Sequence, residues 1–395
     1  MINLDQNATT PVADEVLAEL VRCTREYDGN SSSGHSIGVK AGSFLDECRK
    51  RVARALNAKL PSEIVFTSGG TESDNTAVEG IAYAMQQAGR GNHLITSAIE
   101  HRAVLAPCEF LTKHGFELTV LPVNEVGCVR FEDVQKALRP TTILVSVMLA
   151  NNEIGTIQPI SEISRLARAR GICVHTDAVQ AVGKLPVDVQ ALGVHALSLS
   201  AHKFYGPKGV GVLYLQQGTP FTPFMLGGTH EHNYRAGTVA VPQIGALAKA
   251  LEYAEGKRQK YGAELRRLRD LLISLVLEKV PGSHVNGDVK HCTPNTASIR
   301  FDGVYGGHLL RKLDTLGVLA SAGSACMWER TKPSHVLTAL GLTDEQGGGT
   351  LRFSLGYDNS EAEIREVANI LARVVPEMRR NPPAEVSPPL ARASH

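Results

Sequence analysis

The sequence has few aromatic residues, no excess charge of either sign and no long hydrophobic run. Of its 395 residues only 5% are Phe, Trp or Tyr, and the single tryptophan is Trp328. Lys and Arg number 41 against 40 for Asp and Glu, so no overall field favours nucleic acid or an anionic membrane as a partner. The start, MINLDQNATTPV, is polar and unlike a secretion signal, and no run of eighteen apolar residues occurs. We therefore expect a soluble cytoplasmic protein without nucleic-acid or membrane partners.

The seven cysteines form no C-x-x-C pair. Their scatter excludes an evident zinc or iron–sulfur motif, and their odd number argues against a disulfide framework. Cys48 and Cys173 lie in stretches typical of buried thiols. Only Cys326, in SAGSACMWER, has small and polar residues typical of a loop around it. It is either an incidental surface thiol or a thiol that a mobile loop carries to a reaction partner.

Apolar, β-branched runs alternate with helical patterns between residues 60 and 215. Several runs are apolar almost throughout, which is typical of strands covered by helices on both faces. The predicted strands are EIVF (63–66), HLITS (93–97), ELTVL (117–121), TILVSVML (142–149), ICVHT (172–176), HALSLS (195–200) and GVGVLYL (209–215). The pattern predicts an α/β fold with a mostly parallel seven-stranded sheet.

The sequence pattern changes after residue 241. A long helical pattern runs to Pro281, and predicted short strands then alternate with predicted helices. We expect residues 1–15 to form an N-terminal segment that packs with a small domain. Residues 16–250 would form the large domain, and residues 251–380 the smaller α+β domain. Residues 381–395 are rich in proline and small residues, a composition that indicates a disordered tail.

A lysine and a carboxylate each follow the end of a predicted strand. Lys203 comes directly after SLSAH, and Asp177 directly after ICVHT. Ligands bind at the carboxyl ends of strands in open α/β sheets. Taken alone, Lys203 could be a loop lysine reaching solvent and Asp177 a helix N-cap. As a pair, the carboxylate suits a pyridinium nitrogen and the lysine suits an aldehyde cofactor.

Other strand ends add compatible groups. Gly70 and Thr71, in FTSGGTESDN, precede a helix whose first N–H groups could bind a phosphate, although such a turn is also common without a ligand. His101 could stack on an aromatic ring or simply begin a helix, and Asn151 could bind substrate or form a turn. A phosphate site, a carboxylate, an imidazole and a lysine together specify pyridoxal 5′-phosphate (PLP).

The motifs resemble those of the NifS/IscS-type cysteine desulfurases, in the class V group of fold-type I PLP-dependent transferases. The resemblance covers nearly the whole chain and rests on DQNATTPV, SSSGHSIG, FTSGGTESDN, VSVMLANNEIGTIQPI, HTDAVQAVGK, SLSAHKFYGPKGVG, RAGT, SAGSACM, PSHVLTALG and TLRFSLG. It implies a homodimeric L-cysteine desulfurase, which forms L-alanine and passes sulfur to an iron–sulfur scaffold protein or another acceptor.

The resemblance also implies individual roles. Lys203 carries PLP covalently, and Cys326 is the nucleophile that takes the sulfur. Asp177 pairs with the ring nitrogen, Gln180 with the ring oxygen, and His101 stacks on the ring and moves protons. The remaining roles are phosphate binding by Gly70, Thr71, Ser200, His202 and the neighbouring subunit's Thr238, and binding of the substrate carboxylate by Asn151 and Arg352. No metal is expected in the PLP site.

Some positions depart from the family pattern. Met327, Trp328 and Glu329 follow the cysteine where many relatives have small residues, which leaves loop mobility and partner docking open. His230 replaces a usual glutamine, and Val239 a common glutamate. The alternatives are a selenocysteine lyase, another class V lyase or aminotransferase, or a catalytically silent scaffold relative.

Overall fold

A seven-stranded sheet forms the centre of the fold. The structure, a computed structural model, describes residues 1–322 and 333–381. Its strands, in chain order, are β1 (Ile2–Asn3), β2 (Ile64–Thr67), β3 (His93–Ser97), β4 (Glu117–Leu121), β5 (Thr142–Ser146), β6 (Cys173–Asp177), β7 (Ala196–Ser200), β8 (Gly211–Leu215), β9 (Ser283–Asn286), β10 (Thr296–Phe301), β11 (Val318–Leu319) and β12 (Thr350–Ser354).

Helices cover this sheet and form much of the remaining fold. In chain order they are α1 (Asp14–Glu26), α2 (Ser36–Ala55), α3 (Gly70–Gln87), α4 (Arg102–Thr112), α5 (Phe131–Ala137), α6 (Ile160–Arg168), α7 (Val189–Leu192), α8 (Val241–Lys279), α9 (Gly306–Thr315), α10 (His335–Ala339), α11 (Asp344–Gly348) and α12 (Glu361–Arg380). Local signals agree with these bounds. The last helix begins with a capping box between Ser360 and Glu363, which satisfies N–H groups that have no partner inside the helix.

The large sheet has the strand order β2-β8-β7-β6-β5-β3-β4. All neighbouring pairs are parallel except those of β8, which runs antiparallel to both β2 and β7. Every residue of β5, β6 and β7 is buried, as expected for strands covered on both faces. The predicted α/β class and the mostly parallel seven-stranded sheet are confirmed. The chain segments that follow β2, β3, β5, β6 and β7 all leave the same edge of this sheet.

A second core lies around a small antiparallel sheet of order β12-β10-β9. The N-terminus belongs to this part of the molecule, since β1 pairs in parallel with β11 and both Ile2 and Leu4 are buried in the second core. An isolated bridge joins Asp5 to Ser354 in the strand that carries Arg352. The N-terminal segment thereby brings polar side chains to the region between the two cores.

The two cores share one continuous helix. The 39-residue helix α8 contributes Leu247 to the core of the large sheet and Leu272 to the core of the small sheet. The proposed boundary at residue 250 therefore falls inside a helix, and the two cores are joined there without a linker.

Some predictions concern segments outside the described residues. Cys326 and Trp328 lie there, as does the tail after residue 381. The expectation that only Cys326 lies among loop residues is wrong. Cys128 lies half-buried in the turn between β4 and α5. Within residues 1–322 and 333–381, no helix is both long and apolar enough to cross a membrane, and no three His, Cys, Asp or Glu side chains cluster as metal ligands.

Candidate active site

A cavity of about 290 Å³ opens at the carboxyl edge of the large sheet. Its volume is close to the lower end of the range for small-molecule sites. Its lining includes nine residues selected from the sequence: Gly70, Thr71, His101, Asp177, Gln180, Ser200, His202, Lys203 and Arg352. These residues come from elements that follow β2, β3, β6 and β7 and from β12 of the small sheet, so both cores contribute to one site.

Lys203 ends a short 3-10 turn, Ala201–Lys203, that directly follows β7. Its Nζ donates to the main-chain oxygens of Asn7 and Ala8, at 2.8 Å each. Both acceptors belong to the N-terminal segment, which was not expected to touch the lysine. The amine is therefore held in the cavity by neutral carbonyl groups.

Asp177 is the last residue of β6, and His101 caps the start of α4. His101 caps a helix, as the simpler interpretation predicts, since its Nδ1 accepts from the N–H of Ala103. Asp177 Oδ1 accepts from the N–H of Val179, but turns rather than a helix follow it, so Asp177 is not an N-cap. Burial raises the pKa of Asp177 and lowers the pKa of His101. A cationic ring nitrogen beside Asp177 would oppose the first effect and favour the carboxylate.

Two further buried acids lie near Asp177 and were not selected from the sequence. Asp74, on α3, lines the cavity and has one oxygen without a hydrogen-bond partner among the described residues. Burial, and then the nearby Asp177, raise the pKa of Asp74 well above its usual value. Burial also raises the pKa of Glu100 to about 8. The region behind Asp177 therefore favours protonated acids over additional negative charge.

The start of α3 forms a narrow pocket for an anion. A Cβ added at Gly70 would lie 2.8 Å from Val179 Cγ2 and 3.5 Å from Ser200 Cβ, so a side chain at this position would crowd the pocket wall. The first N–H groups of a helix lack intrahelical partners and carry partial positive charge. Ser200 and His202 line the same cavity, and burial lowers the pKa of His202 to about 4. These groups supply neutral donors suited to a phosphate.

Arg352 enters the cavity from β12 and is 2% exposed. Its Nη2 donates to Asp5 Oδ1 at 2.8 Å and its Nη1 to the main-chain oxygen of Asn152 at 3.0 Å. Its Nε has no hydrogen-bond partner among the described residues. The guanidinium is thus fixed from two sides and keeps N–H groups for a further acceptor.

Asn151 requires a correction. Its side chain is fully buried: Nδ2 donates to the carbonyl of Ile99, and Oδ1 accepts from the N–H groups of Glu153 and Ile154. These contacts form the turn after β5, and Asn151 is not part of the cavity lining. Its neighbour Asn152 lines the cavity instead. The alternative interpretation of Asn151 as a turn asparagine describes its position.

Two further predicted residues are considered apart from this lining. Thr238 is exposed and is not part of the lining, a position open to a second subunit. Cys326 lies outside the described residues.

The sequence reasoning missed Asp5, Asn7, Asp74, Asn152 and Lys184. All five occur within the quoted motifs, but none follows directly after a strand, which was the signal used. Asn7 links the two cores, since its main-chain and side-chain atoms form hydrogen bonds with residues of both. Hydrogen bonds across 145 to 347 positions cannot be read from local patterns.

Comparison with known proteins agrees with the fold. The model of the aminotransferase class-V family matches residues 2–367. The cysteine desulfurase IscS of Dictyoglomus turgidum is 45% identical over 378 residues, which are 96% of this chain and 95% of that protein. A solved structure titled NifS-like protein has a TM-score of 0.88 at 35% identity and covers 95% of this chain and 99% of its own. Another, SspA in complex with cysteine, has a TM-score of 0.79 at 34% identity and covers 90% and 99%.

PLP is the cofactor of this family, and the cavity fits it. The crowded wall at Gly70 and the start of α3 suit the phosphate, and buried Asp177 suits the ring nitrogen. Lys203 supplies the amine for covalent attachment. By the extent of these matches, the chain belongs to the class-V aminotransferase family, with the IscS- and NifS-type cysteine desulfurases as its relatives there.

Proposed function

We propose that this protein is a PLP-dependent L-cysteine desulfurase that forms L-alanine and holds the removed sulfur as a persulfide on Cys326. The single observation that carries the proposal is the convergence of Lys203, Asp177, His101 and Arg352 on one cavity of about 290 Å³. This set combines an amine for the cofactor, a partner for its ring nitrogen, a proton-transfer group and a cation for a carboxylate. The substrate is taken from the relatives named cysteine desulfurase and from the solved structure that contains cysteine.

Each cavity residue has a different proposed role in the reaction. When bound, PLP withdraws electrons from the bonds at the substrate's α-carbon. Asp177 keeps its carboxylate at the ring nitrogen, and Lys203 Nζ and the His101 imidazole hold or move protons on the cavity side. Burial lowers the pKa of His101, which favours the neutral imidazole. Because its Nδ1 accepts from the N–H of Ala103, the neutral ring carries its proton on Nε2 and can donate it.

Arg352 binds the carboxylate of the amino-acid substrate. Because Asp5 and the carbonyl of Asn152 already fix two of its N–H groups, the guanidinium needs little reorganisation when the substrate enters. A guanidinium forms charge-assisted hydrogen bonds to carboxylates with a defined geometry. This contact orients the α-carbon toward Lys203.

The thiolate of Cys326 attacks the substrate sulfur. The carbon–sulfur bond breaks as the new sulfur–sulfur bond forms, and the electron pair left on the substrate carbon is protonated. L-cysteine and the Cys326 thiol are thus converted to L-alanine and the Cys326 persulfide, without another oxidant or reductant. The thiolate is the reactive form of a cysteine, so the Cys326 thiol must lose its proton before the attack.

The test is an anaerobic assay of alanine and of protein persulfide with purified protein and L-cysteine. Wild type should form both, and borohydride reduction with peptide mapping should place a pyridoxyl label on Lys203. Cys326→Ala should bind PLP and L-cysteine but lose persulfide formation and nearly all alanine release. Near-wild-type turnover of L-cysteine by Cys326→Ala would replace this proposal with a selenocysteine lyase or another class V lyase.

A homodimer with shared active sites is the second part of the proposal. Leu226 is 82% exposed, and the carbonyl of its neighbour Met225 accepts from the N–H of Ala236, just before the exposed Thr238. An apolar loop beside an exposed hydroxyl suits a second copy whose phosphate site needs one more donor. The sulfur acceptor, an iron–sulfur scaffold protein or another protein, and the cytoplasmic location stay predictions.

A further inference from the structure

Lys184 is a buried lysine that no step of the proposed reaction uses. It follows Asp177 by seven residues in the turns after β6, and it is 9% exposed. Its Nζ donates to Gln180 Oε1 at 2.6 Å and to Asn7 Oδ1 at 3.1 Å. Burying a lysine is unfavourable without a compensating role, so these two contacts call for an explanation.

The contact with Gln180 determines which end of its amide faces the cavity. The lysine donates to Oε1, which directs the amide oxygen away from the rest of the site and toward Lys184. The amide nitrogen then points the other way, where it donates to the main-chain oxygen of Asn7 at 3.0 Å. An amide nitrogen carries two N–H groups, so one donor is left for the cavity that Gln180 lines.

Asn7 connects this arrangement to the cofactor lysine. Its main-chain oxygen accepts from both Gln180 Nε2 and Lys203 Nζ, at 3.0 and 2.8 Å. Its side-chain oxygen accepts from Lys184 and from Asn295 Nδ2, at 3.1 and 3.0 Å. Lys184 therefore braces both Gln180 and the residue that receives Lys203.

The electrostatics around Lys184 are compatible with this role. Burial lowers the pKa of Lys184 well below its usual value, and the neighbouring cations Lys203 and Arg352 lower it further. A neutral amine keeps two N–H donors, which equals the number of acceptors at its Nζ. The two contacts therefore need only the donors of a neutral amine and do not require a buried positive charge next to Lys203.

We propose that Lys184 is a positioning residue that fixes the Gln180 amide with an N–H group directed into the cavity, toward an anionic oxygen of the bound cofactor. This inference rests on the proposed function, because it concerns the cofactor of that same site. Without the lysine, Gln180 Oε1 loses its donor, and the amide can turn its oxygen toward the cofactor. A carbonyl oxygen facing an anionic oxygen is repulsive, whereas an N–H group stabilises it.

The test compares Lys184→Met, Gln180→Met and the double variant with wild type, and uses Lys136→Met, an exposed lysine on α5, as the matched control. The measurements are the equilibrium Kd for PLP added to the apoprotein, the visible absorption band of bound PLP and the thermal midpoint without PLP. Lys184→Met should raise the Kd about tenfold and displace the band, as expected for loss of one hydrogen bond to a charged group. Gln180→Met should change both in the same direction, and the double variant should add little, since Lys184 acts through Gln180.

The outcomes separate this inference from the proposed function. A wild-type protein that forms no visible PLP band would contradict the proposed function itself. A normal wild-type band with an unchanged Kd and band in Lys184→Met would overturn the positioning role, as would a lower thermal midpoint alone. If Lys184→Met does not fold, Lys184→Leu carries the same comparison, because it also removes the amine and leaves no N–H donor for Gln180 Oε1.

Discussion

At the residue scale, Arg352 shows how a binding group is prepared by contacts outside the substrate. Its guanidinium is held between Asp5 and the carbonyl of Asn152, and burial raises the pKa of Asp5 even though Arg352 opposes that effect. The N-terminal segment therefore helps to hold Arg352 in place through an ion pair. A lysine at this position has neither the planar shape nor the number of donors to keep these contacts and add a substrate carboxylate.

Arg352→Lys should raise KM for L-cysteine and lower kcat/KM. A charged hydrogen bond lost from a buried site costs about 1.5–3 kcal/mol, or roughly tenfold to a hundredfold and more. Steady-state kinetics measure the effect. Arg300→Lys, on the neighbouring strand β10 and outside the cavity, is the control and should behave like wild type. Unchanged KM and kcat in Arg352→Lys would mean that Arg352 only supports the fold.

Glu100 makes the stability of the protein depend on pH. Burial raises its pKa in the folded state from 4.5 to about 8, and one of its oxygens has no hydrogen-bond partner among the described residues. The folded state therefore binds this proton more tightly than the unfolded state. Between pH 4.5 and 8 the contribution of Glu100 to the free energy of unfolding must fall as pH rises, because the folded protein holds the extra proton.

Glu100→Gln should remove this dependence, since glutamine resembles the protonated acid. Its Oε1 can still accept from Ser97 Oγ and the N–H of Met148. The free energy of unfolding of Glu100→Gln should equal that of wild type near pH 5. At pH 8.5 it should exceed that of wild type by the order of a few kcal/mol. Thermal midpoints across this pH range measure it, with exposed Glu366→Gln as the control. A constant difference at all pH values would contradict the raised pKa.

At the element scale, a left-handed turn precedes the segment that contains Thr238. Glu231, His232 and Asn233 have φ of 45°, 56° and 67°, a conformation unfavourable for residues other than glycine. Buried Arg49 of α2 holds this turn by two hydrogen bonds to Glu231, at 2.7 and 2.8 Å, and Phe66 donates its N–H to the same carboxylate. The ion pair compensates for the strain of the turn.

Arg49→Met should destabilise the protein by about 3–5 kcal/mol, because it leaves the Glu231 carboxylate buried without its cation. The double variant Arg49→Met/Glu231→Gln should lose less, since no charge stays buried. Arg139→Met, which breaks an exposed pair with Glu117, is the control and should cost little. Chemical denaturation measures all three. Equal losses in the single and double variants would show that the charge is not the cause.

At the scale of the whole molecule, the site depends on the approach of two cores. Lys203 and Asp177 come from the large sheet, whereas Arg352 comes from the small sheet. Asn7 contacts both, through Gln180 on one side and Thr296 and Ser354 on the other. The continuous helix α8 joins the cores and limits their relative movement.

Subunit exchange tests whether active sites are shared between two copies. Lys203→Ala and Thr238→Ala proteins should each be nearly inactive alone. A mixed dimer should recover activity, because the site with an intact Lys203 receives Thr238 from the other subunit. Desulfurase assays after demonstrated exchange measure the recovery, and exchange between two Lys203→Ala preparations is the control. No recovery would place Thr238 outside the shared site.

Much of the large sheet and part of the site could be predicted from local sequence. The sequence predicted all seven strands to within three residues at each end. For central strands such as β5, β6 and β7 the reason is that burial on both faces leaves a continuous apolar signal, whereas β4 at the edge of the sheet is buried only at Leu121. Lys203, Asp177 and Gly70 were found because each follows a strand, and parallel strands bring such positions to one edge. Their catalytic and binding roles stay predictions. Arg352 and Thr238 were selected only by resemblance to the family.

The sequence by itself therefore determined the fold class, the family and the edge of the sheet where the site lies, since these depend on local periodicity and motif order. Only the tertiary structure decided which polar residues face the cavity. In the folded protein, the side chain of Asn151 forms hydrogen bonds within a turn, and Asn152 lines the cavity. The fold also brings Asn7, Lys184 and Asp74 to the site. The physical reason is that the set of residues meeting at the cavity depends on hydrogen bonds between positions far apart in the chain, such as that from the main-chain N–H of Asn7 to Ser354 Oγ.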